Sequence, residues 1–286
     1  MRLITIMHTK QRLTIILLLL FLTLSSNSSF SVEKKSLSLG VVPQMPAQVI
    51  RTIWYPLLEK ISEISHIELR LITYPNIAKF ESALKKGEID LAYMNPYHLL
   101  MTQKHIPYIP LVRDHTSKLI GILVVKKNSD IKSIQDLNNA EIAFPSPNAF
   151  GASLYMRALL SEKEGIKFTS NYTKTHSNVY RNVIFSKSMA GGGVMRTLNS
   201  EPERIKAQLR ILYKTPGVAP HPLSAHPDVS NEQQKLIIDS FISLSKTEAG
   251  KYLLELIKMK NPGKADFNLD YKPLLNLHLD KYSSSE

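Results

Sequence analysis

The chain has 286 residues, no cysteine, and 36 Lys and Arg against 24 Asp and Glu, a formal charge of +12. Without cysteine there is no disulfide scaffold, no thiol nucleophile, no Cys-based zinc site and no lipid-modified cysteine to tether the chain. The cations are scattered as singles and pairs, with no block of five or six. This argues against a nucleic-acid partner and leaves two readings, a solvated basic surface or a small anionic ligand.

Residues 1–31 read as a signal peptide. Arg2, Lys10 and Arg12 form the positive start, Leu13 to Leu24 the apolar core, and Ser25, Ser26, Ser28, Ser29 and Ser31 the small-residue run before cleavage. The apolar run is shorter than the roughly 20 residues that span a bilayer. An uncleaved membrane anchor is the alternative. Removing the segment takes away three cations and no acid, which leaves +9.

Leu37 to Val42 reads as a strand, and Ala47 to Ile64 as an amphipathic helix with Val49, Ile53, Leu57, Ile61 and Ile64 at helical spacing. Pro56 predicts a kink or break near Tyr55. Ile67 to Thr73 alternates as a strand does, and Ile77 to Lys86 is a helix closed by Gly87. Ile89 to Met94 is the next strand. This βαβαβ run implies a parallel sheet covered by helices. Leu119 to Lys126 is a continuous apolar strand expected to be buried on both faces.

A second series follows: Ile134 to Leu137, a short helical turn; Glu141 to Phe144, a strand; Phe150 to Glu164, a helix; Phe168 to Thr173, a strand; Val179 to Ser186, a helix. Met189 to Met195 crosses three glycines, and Leu209 to Tyr213 is a strand. A Pro- and His-rich turning segment precedes two helices, Asn231 to Leu244 and Thr247 to Lys258. The tail, 281–286, reads as frayed. The fold class is therefore α/β, two lobes with a cleft between them. Lobe one takes 37–118 and 216–282, and lobe two takes 119–215, with hinge strands near Leu119–Lys126 and Leu212–Val218.

In open α/β sheets a ligand sits beyond the carboxyl ends of the strands, and two lobes set two such edges face to face. Four segments occupy those positions. Tyr93, Asn95, Pro96 and Tyr97 end a strand; they either wall the site or form a core aromatic and an ordinary turn. Residues 145–153 lead into a helix whose free N–H groups favour an anion, with Ser146, Asn148 and Ser153 as added donors; plain capping by Asn148 is the alternative. His176 and Ser177 open a further helix. Gly191, Gly192 and Gly193 permit close backbone approach, to a ligand or between the lobes. Trp54 either lines the cleft or fills core. His221 and His226 are a weak metal signal. No phosphate-binding loop, H-E-x-x-H or G-x-S-x-G pattern occurs, and no nucleophile, base and acid form a set. No catalytic residue, metal or cofactor is nominated. The ligand-site candidates are Tyr93, Asn95, Asn148, Ser153, His176, Ser177 and Gly192.

Several passages together resemble the periplasmic substrate-binding proteins of phosphate, phosphite and phosphonate ABC transporters. They are LGVVPQ at 39–44, WYPL at 54–57, ALKKGEIDLAYMNPY at 83–97, IKSIQDLNNAEIAFPSP at 131–147, and the His176 segment. The likeness runs from about Leu39 to Leu244. It implies a non-enzymatic periplasmic binding protein, monomeric, that closes on a small oxyanion and delivers it to an inner-membrane ABC permease. Alternatives are a ligand sensor feeding a membrane signalling partner, or a periplasmic enzyme using His176. Family members that grip a phosphonate carry a Ser/Thr-rich loop at the helix start, where this chain has Asn148-Ala149-Phe150-Gly151-Ala152-Ser153. They also carry an Asp near the end of a later lobe-two strand, where this chain has Met189 to Val194 and no carboxylate. These departures imply a ligand that differs from that of other members.

Overall fold

The computed structural model describes residues 36–284. The signal peptide expected over 1–31 lies outside them. No helix among the described residues is long and apolar enough to cross a membrane.

The strands form two sheets. In the first, β1 (Ser36–Val41) pairs in parallel with β2 (Glu68–Thr73) and β3 (Leu91–Tyr93). Three antiparallel neighbours complete it: β4 (Ile109–Asp114), β10 (Leu223–Ala225) and β11 (Pro262–Lys264), in the order β11-β4-β10-β3-β1-β2. The second sheet holds β5 (Gly121–Lys126), β6 (Ala140–Phe144), β7 (Phe168–Tyr172), β8 (Ala190–Val194) and β9 (Leu209–Lys214), in the order β7-β6-β8-β5-β9. β1, β2 and β3 are parallel, as the βαβαβ run implies, but each sheet as a whole is mixed. The returning chain pairs β10 antiparallel to β3, in the segment read from sequence as a turn.

β5 alternates as its apolar run requires: Leu123 and Val125 join the core on one face, Ile122 and Val124 the core on the other. The chain crosses between sheets twice. The crossings pair with each other, Leu119 with Val218, through N–H···O bonds of 2.9 and 3.1 Å.

Helix α1 (Ala47–Ser65) is continuous through Pro56 and ends at His66 in the left-handed region. No break occurs, and Pro56 and Thr52, whose carbonyl loses its helical partner, both lie on the exposed side, where water can serve that carbonyl. Its buried face is Ile50, Trp54, Leu57, Leu58 and Ile61, while Val49 and Ile64 are exposed. The apolar stripe is thus offset by one residue from the expected one. Helix α2 (Ile77–Lys86) follows its local signals: Asn76 Oδ1 accepts the Lys79 N–H at 2.9 Å, and Gly87 closes it at φ 70°.

Helix α3 (Pro96–Thr102) follows β3. Helix α4 (Tyr155–Ala158) is flanked by wider turns at Phe150–Leu154 and Leu159–Lys163. Helices α5 (His176–Ile184), α6 (Met195–Asn199) and α7 (Glu203–Lys206) complete the second lobe. Helices α8 (Asn231–Leu244) and α9 (Glu248–Leu256) pack against α1, and α8 opens on a Ser230/Gln233 capping box. The apolar core of the first sheet continues across the cleft onto Phe150, Leu154, Tyr155 and Val194.

Candidate ligand-binding cleft

The cleft is built from strand ends and helix starts. From the first lobe come Gln44 after β1, Ile77 at the start of α2, Asn95 at the start of α3, and His221 before β10. From the second come residues 149–152 and His176 at the start of α5. They surround a cavity of about 10 Å³. Larger recesses of about 320 and 190 Å³ lie along the same interface.

The Phe150 helix start faces this cavity because glycines let it sit close to the sheet. A Cβ on Gly121 would stand 2.2 Å from Gly151 O, and one on Gly192 2.0 Å from Ala152 O. The first hydrogen bonds of the turn run from Ser153 and Leu154 to Ala149 O, at 2.8 and 3.1 Å. The N–H groups of Phe150, Gly151 and Ala152 therefore precede the helical ladder, and these residues line the cavity. Four helix starts, those of α2, α3, the Phe150 helix and α5, contribute to the cavity lining. Their dipoles all favour negative charge.

Two polar seams join the lobes beside the cavity. In one, Arg196 from α6 donates through Nη1 to Tyr93 Oη at 3.0 Å and through Nη2 to Gln44 Oε1. Gln44 Nε2 in turn stands 3.0 Å from His221 Nε2. The His221 ring stacks on Tyr93, with centroids 5.6 Å apart, and Tyr93 packs on Trp54 at 4.9 Å. Burial first, and Arg196 second, hold both cleft histidines neutral. His176 is depressed to about 3, and His221 lies well below 6.5.

In the other seam, Glu81 of α2 is 2% exposed. It accepts from His98 Nε2 at 3.0 Å and from Asn148 Nδ2 at 2.9 Å. Asn95 Nδ2 donates to Asn148 O at 3.2 Å. Burial opposes ionisation of Glu81, but the bonds from His98 and Asn148 outweigh it and hold the carboxyl below its ordinary range. Asn148 also binds both backbone groups of Ser284, at 2.9 and 3.0 Å. Arg157 donates to Pro147 O and Tyr282 O. Residues 282–284 are therefore packed against the second lobe, which corrects the expectation of a frayed tail up to that point.

Of the seven nominated residues, Asn95 and His176 line the cavity. Tyr93 stands behind it, between Trp54, His221 and Arg196. Asn148 belongs to the Glu81 seam. Ser153 Oγ accepts from Arg157 Nε at 3.1 Å within its own helix. Ser177 Oγ donates to Glu201 Oε1. Gly192 is covered by the Phe150 helix start, so its close contact is within the lobe. His176 is a neutral imidazole, because burial and the nearby Arg196 both disfavour its charged form. Sequence reasoning missed Gln44 and Arg196, and marked His221 only as a weak metal signal. A strand reading of 223–225 places His221 at a strand end and finds it; nothing local marks Gln44 or Arg196. Trp54 is buried core that also meets the cleft aromatic Tyr93. His226 packs edge-on to Tyr108, away from His221's ring partner Tyr93.

A family model for the periplasmic substrate-binding protein of phosphonate ABC transporters matches residues 39–271. The chain belongs to this family. Its members are transport proteins that bind substrates in the periplasm rather than transform them. The chain is 20% identical over 274 residues to the phosphonates-binding periplasmic protein of Escherichia coli (strain K12), covering 91% of this chain and 80% of that one. Its fold is similar to that of PhnD1 from Prochlorococcus marinus (MIT 9301) in complex with methylphosphonate. The TM-score is 0.78 at 18% identity, over 87% of this chain and 99% of the other. A binding protein component of an ABC phosphonate transporter from Pseudomonas aeruginosa aligns with a TM-score of 0.74 at 17% identity, over 87% of both chains. These structures share the two-lobe periplasmic binding fold.

Proposed function

We propose that this protein captures a phosphonate, or a closely related phosphorus oxyanion, between its two lobes and hands it to an ABC permease. The supporting observation is the convergence of helix N-termini from both lobes on one cavity. Among the described residues lining it there is no Asp or Glu. Backbone N–H groups and dipoles compensate the ligand's negative charge without an ion pair. The small cavity means that the lobes part to admit a ligand and then close again, a hinge motion about the paired crossings at Leu119 and Val218. Lobe one is taken as 37–118 with 216–282 and lobe two as 119–215. The exported chain acts as a monomer in the periplasm after cleavage near Ser31.

The test is a thermal-shift screen of mature protein with methylphosphonate, phosphite, phosphate and sulfate, followed by calorimetry. A ligand at 100 times its Kd adds about 2.7 kcal/mol of stability. Scattering with and without the best ligand reads the closure as a smaller radius of gyration. No stabilisation by any phosphorus oxyanion, with saturable stabilisation by sulfate, would overturn the reading.

A further inference from the structure

The Arg196–Gln44–His221 chain has a consequence for which atom meets the ligand. A guanidinium can only donate hydrogen bonds. Arg196 therefore compels Gln44 to present Oε1 to it, which turns the Gln44 amide N–H₂ toward His221. An amide nitrogen is a donor, so His221 Nε2, 3.0 Å away, has to be the acceptor. The one proton of the neutral imidazole then sits on Nδ1. That atom is fully buried and has no partner among the described residues. His221 is 2% exposed and lines the central cavity. A buried N–H donor without an acceptor costs stability unless something supplies one.

We infer that His221 is a ligand-binding residue, donating from Nδ1–H to an oxyanion oxygen, and that Arg196 acts through Gln44 as a positioning residue that fixes its tautomer. The inference rests on the reading of this cleft as an oxyanion site and adds a donor from the first lobe to the backbone donors of the second. The two lobes then each hold part of one tetrahedral ligand, which couples binding to closure. The stack on Tyr93 fixes the ring plane. The neutral ring is a consequence of its setting: His221 is buried among Tyr93, Gln44 and a fixed cation, with no carboxylate against it to favour the charged form.

The experiment combines two readouts on the mature protein. The first is ¹⁵N-detected tautomer assignment of histidine-labelled wild type. The expected result is a His221 ring protonated at Nδ1 and bare at Nε2, and a ring protonated at Nε2 would overturn the proposal. The second is calorimetric titration with methylphosphonate. His221→Phe keeps the aromatic stack and removes the donor, and is expected to weaken binding at least tenfold. Gln44→Glu replaces the amide donor with an acceptor. It is expected to place a proton on Nε2 in the spectrum, and a ring still bare at Nε2 would overturn the role given to Gln44. Binding by His221→Phe within twofold of wild type would overturn the proposal while leaving the oxyanion reading intact. Failure of wild type to bind methylphosphonate, phosphite or phosphate would overturn both.

Discussion

The two seams that join the lobes use charge in opposite ways. At one, the buried Glu81 carboxylate is met by donors from both lobes, His98 and Asn148, and its charge is answered within the protein. At the other, the Arg196 guanidinium spans the cleft between two neutral oxygens, on Tyr93 and Gln44, and forms no ion pair among the described residues. A charge with complementary partners fixed around it stabilises one arrangement of the chain. A charge with only neutral acceptors orients those acceptors and leaves its field to act on whatever enters. The first seam is structural, and the second borders the proposed oxyanion site.

The largest expected effect breaks the first seam. Glu81→Ala leaves the buried His98 and Asn148 donors without their acceptor, so a loss of about 3 kcal/mol is expected in urea unfolding. A loss under about 1 kcal/mol would show that solvent serves those donors and that the seam is open in solution.

An intermediate effect comes from pH, and its sign follows from the buried groups. His176 takes up its proton near 3 in the folded protein and near 6.5 when exposed. Between those values the unfolded chain holds more protons, so stability rises with pH there, by up to about 1.4 kcal/mol per pH unit for each such group. His221 acts in the same direction. Glu81, lowered from 4.5, adds a contribution that is present above that value and lost as pH falls through its folded pKa. Unfolding midpoints measured without ligand should therefore fall from pH 6.5 downward and steepen below 4.5. His176→Phe should reduce the slope over the whole range from pH 6.5 down to about 3, leaving the contributions of His221 and Glu81.

The smallest effect sharpens the contrast. Arg196→Met removes bonds to neutral oxygens that water can serve in its place, so its cost in stability is expected to be below about 1 kcal/mol. A loss equal to that of Glu81→Ala in the same urea assay would erase the distinction between the two seams.

Much of the frame was legible because it depends on local chemistry. Asn76 and Gly87 bound α2, the Ser230/Gln233 pair opens α8, and the apolar run of β5 is buried on both faces, as a strand between two helical layers must be. The βαβ series and the edge on which a ligand sits follow from periodicity and chain order, which is why Asn95 and His176 were found among the candidates. Tertiary structure decided the rest. Three residues, Leu223–Ala225, carry too little periodicity to announce a strand, and only their pairing with β3 and β4 makes them one. Ser177, Ser153 and Gly192 have the right residue types at helix starts and strand ends, yet Glu201, Arg157 and the Ala152 carbonyl occupy them first. Arg196 lies 152 residues from Gln44, and Gln44 lies 177 from His221. Hydrogen-bond direction, which assigns the His221 proton, is a property of that assembled chain of contacts. A sequence records which donors and acceptors exist, but the fold determines which of them meet.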